Sequence, residues 1–140
     1  MNVMTFAVFE ELDRLSVALE EHATPDDSAH VVVFRSADPD FFIAHFDVEP
    51  LIAGSSRPPS APLGPFDDLG RFHAMCERYR TMPVISIAEI AGRVGGGGAE
   101  LAASFDMRFG ASHAMTLNQM EVPLGILPGG SGTQRIPRLV

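Results

Sequence analysis

Four consecutive glycines, Gly95 to Gly98, run straight into a helix-forming segment, Ala99 to Ser104, which carries a carboxylate, Glu100, in its first turn. A second carboxylate, Glu121, follows on a segment bounded by strand-like and turn-like residues. A glycine run ahead of a helix lets a ligand approach the backbone closely, because no Cβ stands in the way. The helix start offers N–H groups without intrahelical acceptors and the positive end of a dipole. Such a place can hold an oxygen that gains negative charge. Two nearby glutamates can move protons or hold a water. The same residues also have a plain structural reading. Glycine runs serve as loops, and a glutamate near a helix start is favourable without any chemistry.

The longer pattern chooses between the two readings. The stretch IAGRVGGGGAELAASFD, from Ile90 to Asp106, is followed by NQMEVPLGILPGGSGTQRIPRLV, from Asn118 to Val140. Together they resemble the signature of the crotonase family, the enoyl-CoA hydratase/isomerase superfamily. The pattern there is roughly NG-x-x-x-GGG-x-E-L-x-x-x-x-D, then Q-P-E-x-x-x-G-x-x-P-G-x-G-G-T-Q-R-L. The match is specific in the second half of the chain and weaker, though in register, in the first.

The elements that must position these residues follow from periodicity. Phe6, Phe9, Leu12, Leu15 and Leu19 recur at helical spacing and predict an amphipathic helix over Thr5 to His22, with Thr5 as N-cap. The run HVVVFR, His30 to Arg35, reads as a buried parallel strand. Phe41 to Asp47 comes next, and residues 48–65, rich in Pro, Ser and Gly, read as a mobile surface loop. Leu69, Phe72, Met75, Cys76 and Tyr79 form the apolar face of a second helix over Asp67 to Arg80, leaving Arg71, Arg78 and Arg80 on a solvated face. Val84 to Ile90 is a second strand, leading into the glycine turn and a short helix over Gly97 to Phe105. Asp106 to Ala111 and Met115 to Leu117 are further strands, and Thr133 to Val140 begins another helix.

Strands alternating with helices predict an α/β fold with mostly parallel pairing. Periodicity alone leaves a doubly wound sheet open, but the glycine run lacks the context of a dinucleotide fingerprint. The resemblance implies the crotonase-like spiral of β-β-α turns, here as a truncated core. On that comparison the chain, residues 1–140, is one domain incomplete at both ends. It opens at Asn2-Val3-Met4, just inside a turn that follows the family's first strand pair, and lacks the closing helices.

Composition narrows the partners. The 140 residues are 46% hydrophobic and 20% charged, with a net charge of -8, which suits a globular chain able to bury a core. All ten basic residues are arginine and none cluster, which argues against nucleic acid. No apolar run reaches membrane-spanning length. The lone Cys76 forms no internal disulfide and sits in a helical pattern, so it reads as a small core hydrophobe in a cytoplasmic protein. No histidine pair stands at metal-ligand spacing.

The resemblance also implies roles. Ile43, Ala44, His45, Phe46 and Asp47 fall on a family segment like F-x-A-G-A-D, whose backbone supplies half of an oxyanion hole and lies against coenzyme A. The N–H groups of Phe46 and Gly97 are then the two oxyanion donors. Ala44, His45, Asp47 and Gly96 lie along the coenzyme A. His45 stands where the family has glycine, and its own plain reading is an exposed loop histidine. Glu100 and Glu121 match the two glutamates of family hydratases, Glu100 as base at water and Glu121 as acid at Cα, with one more residue between them than usual. The implied reaction is reversible hydration of 2-enoyl-CoA thioesters, with no metal or redox cofactor and a homo-oligomeric trimer or hexamer for the full fold. Isomerase, dehalogenase or decarboxylase chemistry on an acyl-CoA enolate shares the same hole. A non-catalytic, shortened family member is a third possibility.

Overall fold

The computed structural model describes residues 1–22, 30–49 and 65–139. The loop expected over 48–65 lies for the most part outside the described residues. The first helix, α1 (Phe6–Glu21), starts where Thr5 Oγ1 accepts the Val8 N–H at 3.3 Å. Phe9 is fully buried on its inner face, whereas Leu15 is exposed and Ser16 takes an inner position, donating to Asp13 O. The second helix, α2 (Pro65–Thr81), buries Phe72, Met75, Cys76 and Tyr79 as the spacing requires. Burial pushes the Cys76 thiol up to about 12, as expected of a packing residue rather than a nucleophile.

Six strands follow a simple rule. The odd-numbered strands β1 (Val31–Arg35), β3 (Ile85–Ile90) and β5 (Met107–Gly110) form one parallel sheet in the order β1-β3-β5. The even-numbered strands β2 (Phe41–Ile43), β4 (Arg93–Gly95) and β6 (Thr116–Asn118) form a second parallel sheet in the order β2-β4-β6. Each strand pair gives one strand to each sheet, and helix α2 or α3 (Gly96–Ala102) leads on to the next pair. That is a spiral of β-β-α turns. The chain ends in α4 (Gly132–Arg135) and a single 3₁₀ turn, Ile136–Arg138, rather than one helix from Thr133.

Three sequence expectations change here. The glycine turn does not follow β3 directly, because the three residues of β4 intervene and carry it across to the second sheet. Strand β1 is not buried on both faces: Val31 and Val33 are 47% and 51% exposed, and Ile85, Met107 and Phe109 share that outward face. Only the inward residues, among them Val32, Phe34, Ala88 and Ile90, meet the core. Arg71 and Arg78 do not lie on a solvated face. Both reach Asp13 on α1, and Arg78 Nε also donates to Ser16 Oγ at 2.9 Å.

The core joins the helices to the first sheet through aromatic rings. Phe34 stacks on Phe105 with centroids 4.5 Å apart, and Tyr79 meets both edge-on at 5.2 Å. Such pairs add about 0.5–1.5 kcal/mol each beyond burial. Tyr79 is fully buried, so its hydroxyl needs a partner; it donates to Leu12 O at 2.6 Å and so ties α2 to α1. Asp106 anchors the start of β5 by accepting from both the N–H and the hydroxyl of Ser86 at 2.8 Å. Among the described residues no helix is long and apolar enough to cross a membrane.

Candidate active site

The site begins where β4 becomes α3. Gly95 is the N-cap, extended in backbone, and no side chain caps the helix. The first N–H groups of α3 therefore lack both an intrahelical acceptor and a capping oxygen. Gly96 has φ of +47°, the left-handed region that side chains rarely adopt, so glycine makes the turn. Gly98 is needed for another reason. A Cβ there would lie 2.6 Å from both Cβ and O of Ile43, so its absence lets α3 sit directly on β2. Because α3 starts at Gly96, Glu100 stands in its second turn rather than its first.

Glu100 points inward there and is only 2% exposed. Its oxygens are held by two backbone donors from the Gly130–Gly132 turn. Gly132 N–H donates to Oε1 at 2.8 Å and Gly130 N–H to Oε2 at 3.0 Å. Burial raises the carboxyl to about 7, with the Gly132 N–H opposing, the charge of Glu121 adding to the rise and the Gly130 N–H opposing again. Sequence reasoning missed these two donors, although the G-G-S-G run was on view. Ser131, between them, has φ of +85°, and its hydroxyl accepts from Arg135 Nε at 2.8 Å.

Glu121 follows β6 on a turn and lies beside the start of α3. Its Oε1 would be 3.0 Å from a Cβ built on Gly96. Its Oε2 is buried and, like both polar side-chain atoms of Gln119, has no hydrogen-bond partner among the described residues. The extra residue between the glutamates does not carry Glu121 away from Glu100.

Phe46 approaches from the other side. The segment after β2 forms a parallel bridge between Met4 and Phe46, with Met4 N–H donating to His45 O and Asp47 N–H to Met4 O, both at 2.9 Å. In a parallel bridge those bonds belong to the neighbours of Phe46, so its own N–H faces away from Met4. No acceptor among the described residues takes it. A Cβ on Gly97 would lie 3.9 Å from Phe46 N, so the two backbones are close.

Phe46, Gly97, Glu100 and Glu121 all line one cavity of about 260 Å³, together with Phe6, Phe72, Ile126 and other mostly apolar groups. The arrangement brings two carboxylates and two uncommitted N–H groups to one apolar space. Ala44, His45, Asp47 and Gly96 are not part of that lining. Ala44 is nearly buried, and Asp47 Oδ1 accepts from Glu49 N at 3.1 Å. His45 is half-buried rather than an exposed loop residue, with Nδ1 2.7 Å from Phe46 O.

Comparison with known proteins agrees with this architecture. The sequence model of the enoyl-CoA hydratase/isomerase family matches residues 1–140. Human mitochondrial methylglutaconyl-CoA hydratase is 36% identical over 82% of this chain and 32% of its own length. The fatty acid oxidation complex subunit alpha of Idiomarina loihiensis is 38% identical over 100% of this chain and 19% of its own. Among solved structures, a putative enoyl-CoA hydratase from Streptomyces avermitilis superposes with a TM-score of 0.76 at 38% identity, covering 99% of this chain and 48% of that one. An enoyl-CoA hydratase from Geobacillus kaustophilus gives a TM-score of 0.77 at 28% identity over 96% of this chain and 47% of that one. The chain thus spans about half the length of these structures and a fifth to a third of these curated relatives. With the alternating two-sheet spiral and a family match over its whole length, the chain belongs to the enoyl-CoA hydratase/isomerase family and has the crotonase fold.

Proposed function

We propose that the site adds water reversibly to 2-enoyl-CoA thioesters. One observation carries this reading: Glu100 and Glu121 converge on the same apolar cavity as the free N–H of Phe46 and the start of α3 at Gly97. The thioester carbonyl oxygen sits between the N–H groups of Phe46 and Gly97. As water adds at Cβ, charge moves onto that oxygen as an enolate. Donors already aimed there favour the transition state over the substrate. Glu100 takes the proton from water, and a carboxyl near 7 suits a base working at neutral pH. Glu121, whose Oε2 has no partner among the described residues, works at Cα in its protonated form and gives that proton up there, and the proton Glu100 took from water returns to Glu121 for the next turnover. The segment at Ala44, His45 and Asp47, with Gly96, lies along the coenzyme A, which is part of the substrate. No other cofactor enters.

The test is calorimetry with acetoacetyl-CoA, which resembles the enolate, against free CoA, followed by loss of the enoyl absorbance on hydration. The folded chain should bind acetoacetyl-CoA more tightly than CoA. E100Q and E121Q should each lower turnover by about 10²–10⁴-fold. Turnover that survives both changes would sink the two-carboxylate mechanism. Product analysis over an acyl-CoA panel separates hydration from isomerisation or decarboxylation of the same enolate.

A further inference from the structure

The segment that presents the Phe46 N–H is restrained by hydrogen bonds on both sides of that residue. Ala44 N–H donates to Asn2 O at 2.7 Å, Met4 N–H to His45 O at 2.9 Å, and Asp47 N–H to Met4 O at 2.9 Å. Asn2 Nδ2 donates in turn to Phe42 O. These bonds fix the peptide before Phe46 through its carbonyl and the peptide after it through its N–H. The Phe46 carbonyl is left, and it is taken by a side chain: His45 Nδ1 lies 2.7 Å away. A carbonyl can only accept, so Nδ1 carries the proton and donates.

We propose that His45 is the positioning residue of the oxyanion N–H at Phe46. Its Nδ1–H holds the Phe46 carbonyl, a second hold on the peptide that Met4 already ties through the Asp47 N–H, and so limits rotation about the Phe46 Cα that would turn its N–H. The imidazole touches no reacting atom in this role. It supplies, at a place where the family pattern has glycine, a restraint that glycine cannot make. The side chain leaves the backbone beside the start of α3: His45 Cβ would be 3.6 Å from a Cβ on Gly96. Misplacing a catalytic group by an ångström can cost about 10²-fold, so a side chain that prevents it matters to turnover.

This assignment rests on the hydratase reading, and its test separates the two. Asparagine can place Nδ2 where His45 has Nδ1, whereas the amide of glutamine reaches only to the position of Nε2. H45A and H45Q should therefore lower kcat for enoyl-CoA hydration by roughly tenfold to 10²-fold. H45N should restore kcat to nearly that of the wild type. A wild-type kcat in H45A, equal behaviour of H45N and H45Q, or a change confined to KM would each overturn the assignment. If the wild-type chain hydrates no enoyl-CoA, the hydratase reading fails, and amide hydrogen exchange decides the role of His45 alone. Protection of the Asp47 N–H should then fall about tenfold or more in H45A and H45Q and hold in H45N. Equal protection in all four proteins refutes the restraint.

Discussion

Glu100 makes stability depend on pH in an unusual direction. Its carboxyl is raised from 4.5 to about 7, first by burial and then by the charge of Glu121, against the pull of the Gly132 and Gly130 N–H groups. Between those two values the folded chain holds a proton that the unfolded chain has released. Stability from this group is therefore complete below about pH 4.5 and is lost as pH rises toward 7. The displacement corresponds to about 3 kcal/mol, a large share of a small domain's stability. Most carboxylates act oppositely: Glu77, drawn down to about 2 by the hydrogen bond from Arg80 and helped by Arg135, loses its contribution only at lower pH. The perturbation that isolates the effect is E100Q. Glutamine keeps one acceptor oxygen but turns its amide toward the other glycine N–H, a cost that does not change with pH. Urea unfolding followed by far-ultraviolet circular dichroism suits a chain with no tryptophan and one tyrosine. The difference between wild type and E100Q should fall by about 3 kcal/mol from pH 4.5 to 7 and level off above. A difference that stays constant across that window would refute the buried, proton-holding state of Glu100.

The same shift shapes catalysis: the proton that leaves near 7 is the last one the glutamate pair holds, so hydration should fall as pH rises through about 7, whereas the residual activity of E121Q should rise with pH as Glu100 becomes the free base, on a limb below 7 because the neighbouring charge is gone. The limb belongs to the coupled pair, so its reversal in E121Q is the observable; a limb of the same sign in both proteins argues against coupling across the cavity. Two adjacent glycines should part company. A Cβ at Gly98 meets Ile43 at 2.6 Å and should cost about 1–3 kcal/mol or more in urea. A Cβ at Gly97 meets Phe46 Cβ at 3.3 Å, which a small shift absorbs, so G97A should fold normally yet lose roughly tenfold in acetoacetyl-CoA affinity by crowding the oxyanion position. Equal stability of the two variants would contradict the close seating of α3 on β2.

Legibility in the sequence followed the physical source of each feature. Helices α1 and α2 were visible because side chains repeat at the period of the helix, down to Thr5 as the cap. Strand β4 was not, since three residues between glycines carry no period. The run Val31–Phe34 reads as buried on both faces, yet tertiary context gives only Val32 and Phe34 to the core. In the site, Glu100 and Glu121 were legible as side chains at motif spacing, whereas what holds them was not. Gly130 and Gly132 act through N–H groups that every residue but proline possesses. Only a fold in which the turn before α4 returns to α3 reveals their target. The space they need is visible only there too: a Cβ on Gly130 would lie 2.2 Å from Glu100 Oε2 and one on Gly132 would lie 2.3 Å from Gln119 Nε2.

These glycines explain why the two carboxylates differ in kind. Glu100 has both oxygens bound to rigid backbone, so it is held in place and its basicity is set by burial against two opposing donors. Glu121 shares the cavity, yet among the described residues its Oε2 has no partner, and neither has the buried amide of Gln119. Buried polar atoms without partners cost about 1–3 kcal/mol each. A fold retains such a cost where a ligand satisfies it, and the water of the proposed reaction brings a donor to Glu121 Oε2 in the cavity that Glu121 lines. The fixed carboxylate then serves as the reference against which water is oriented. The uncommitted one is free to change its hydrogen bonding as a proton passes to Cα, a division of labour that two identically held glutamates would not provide.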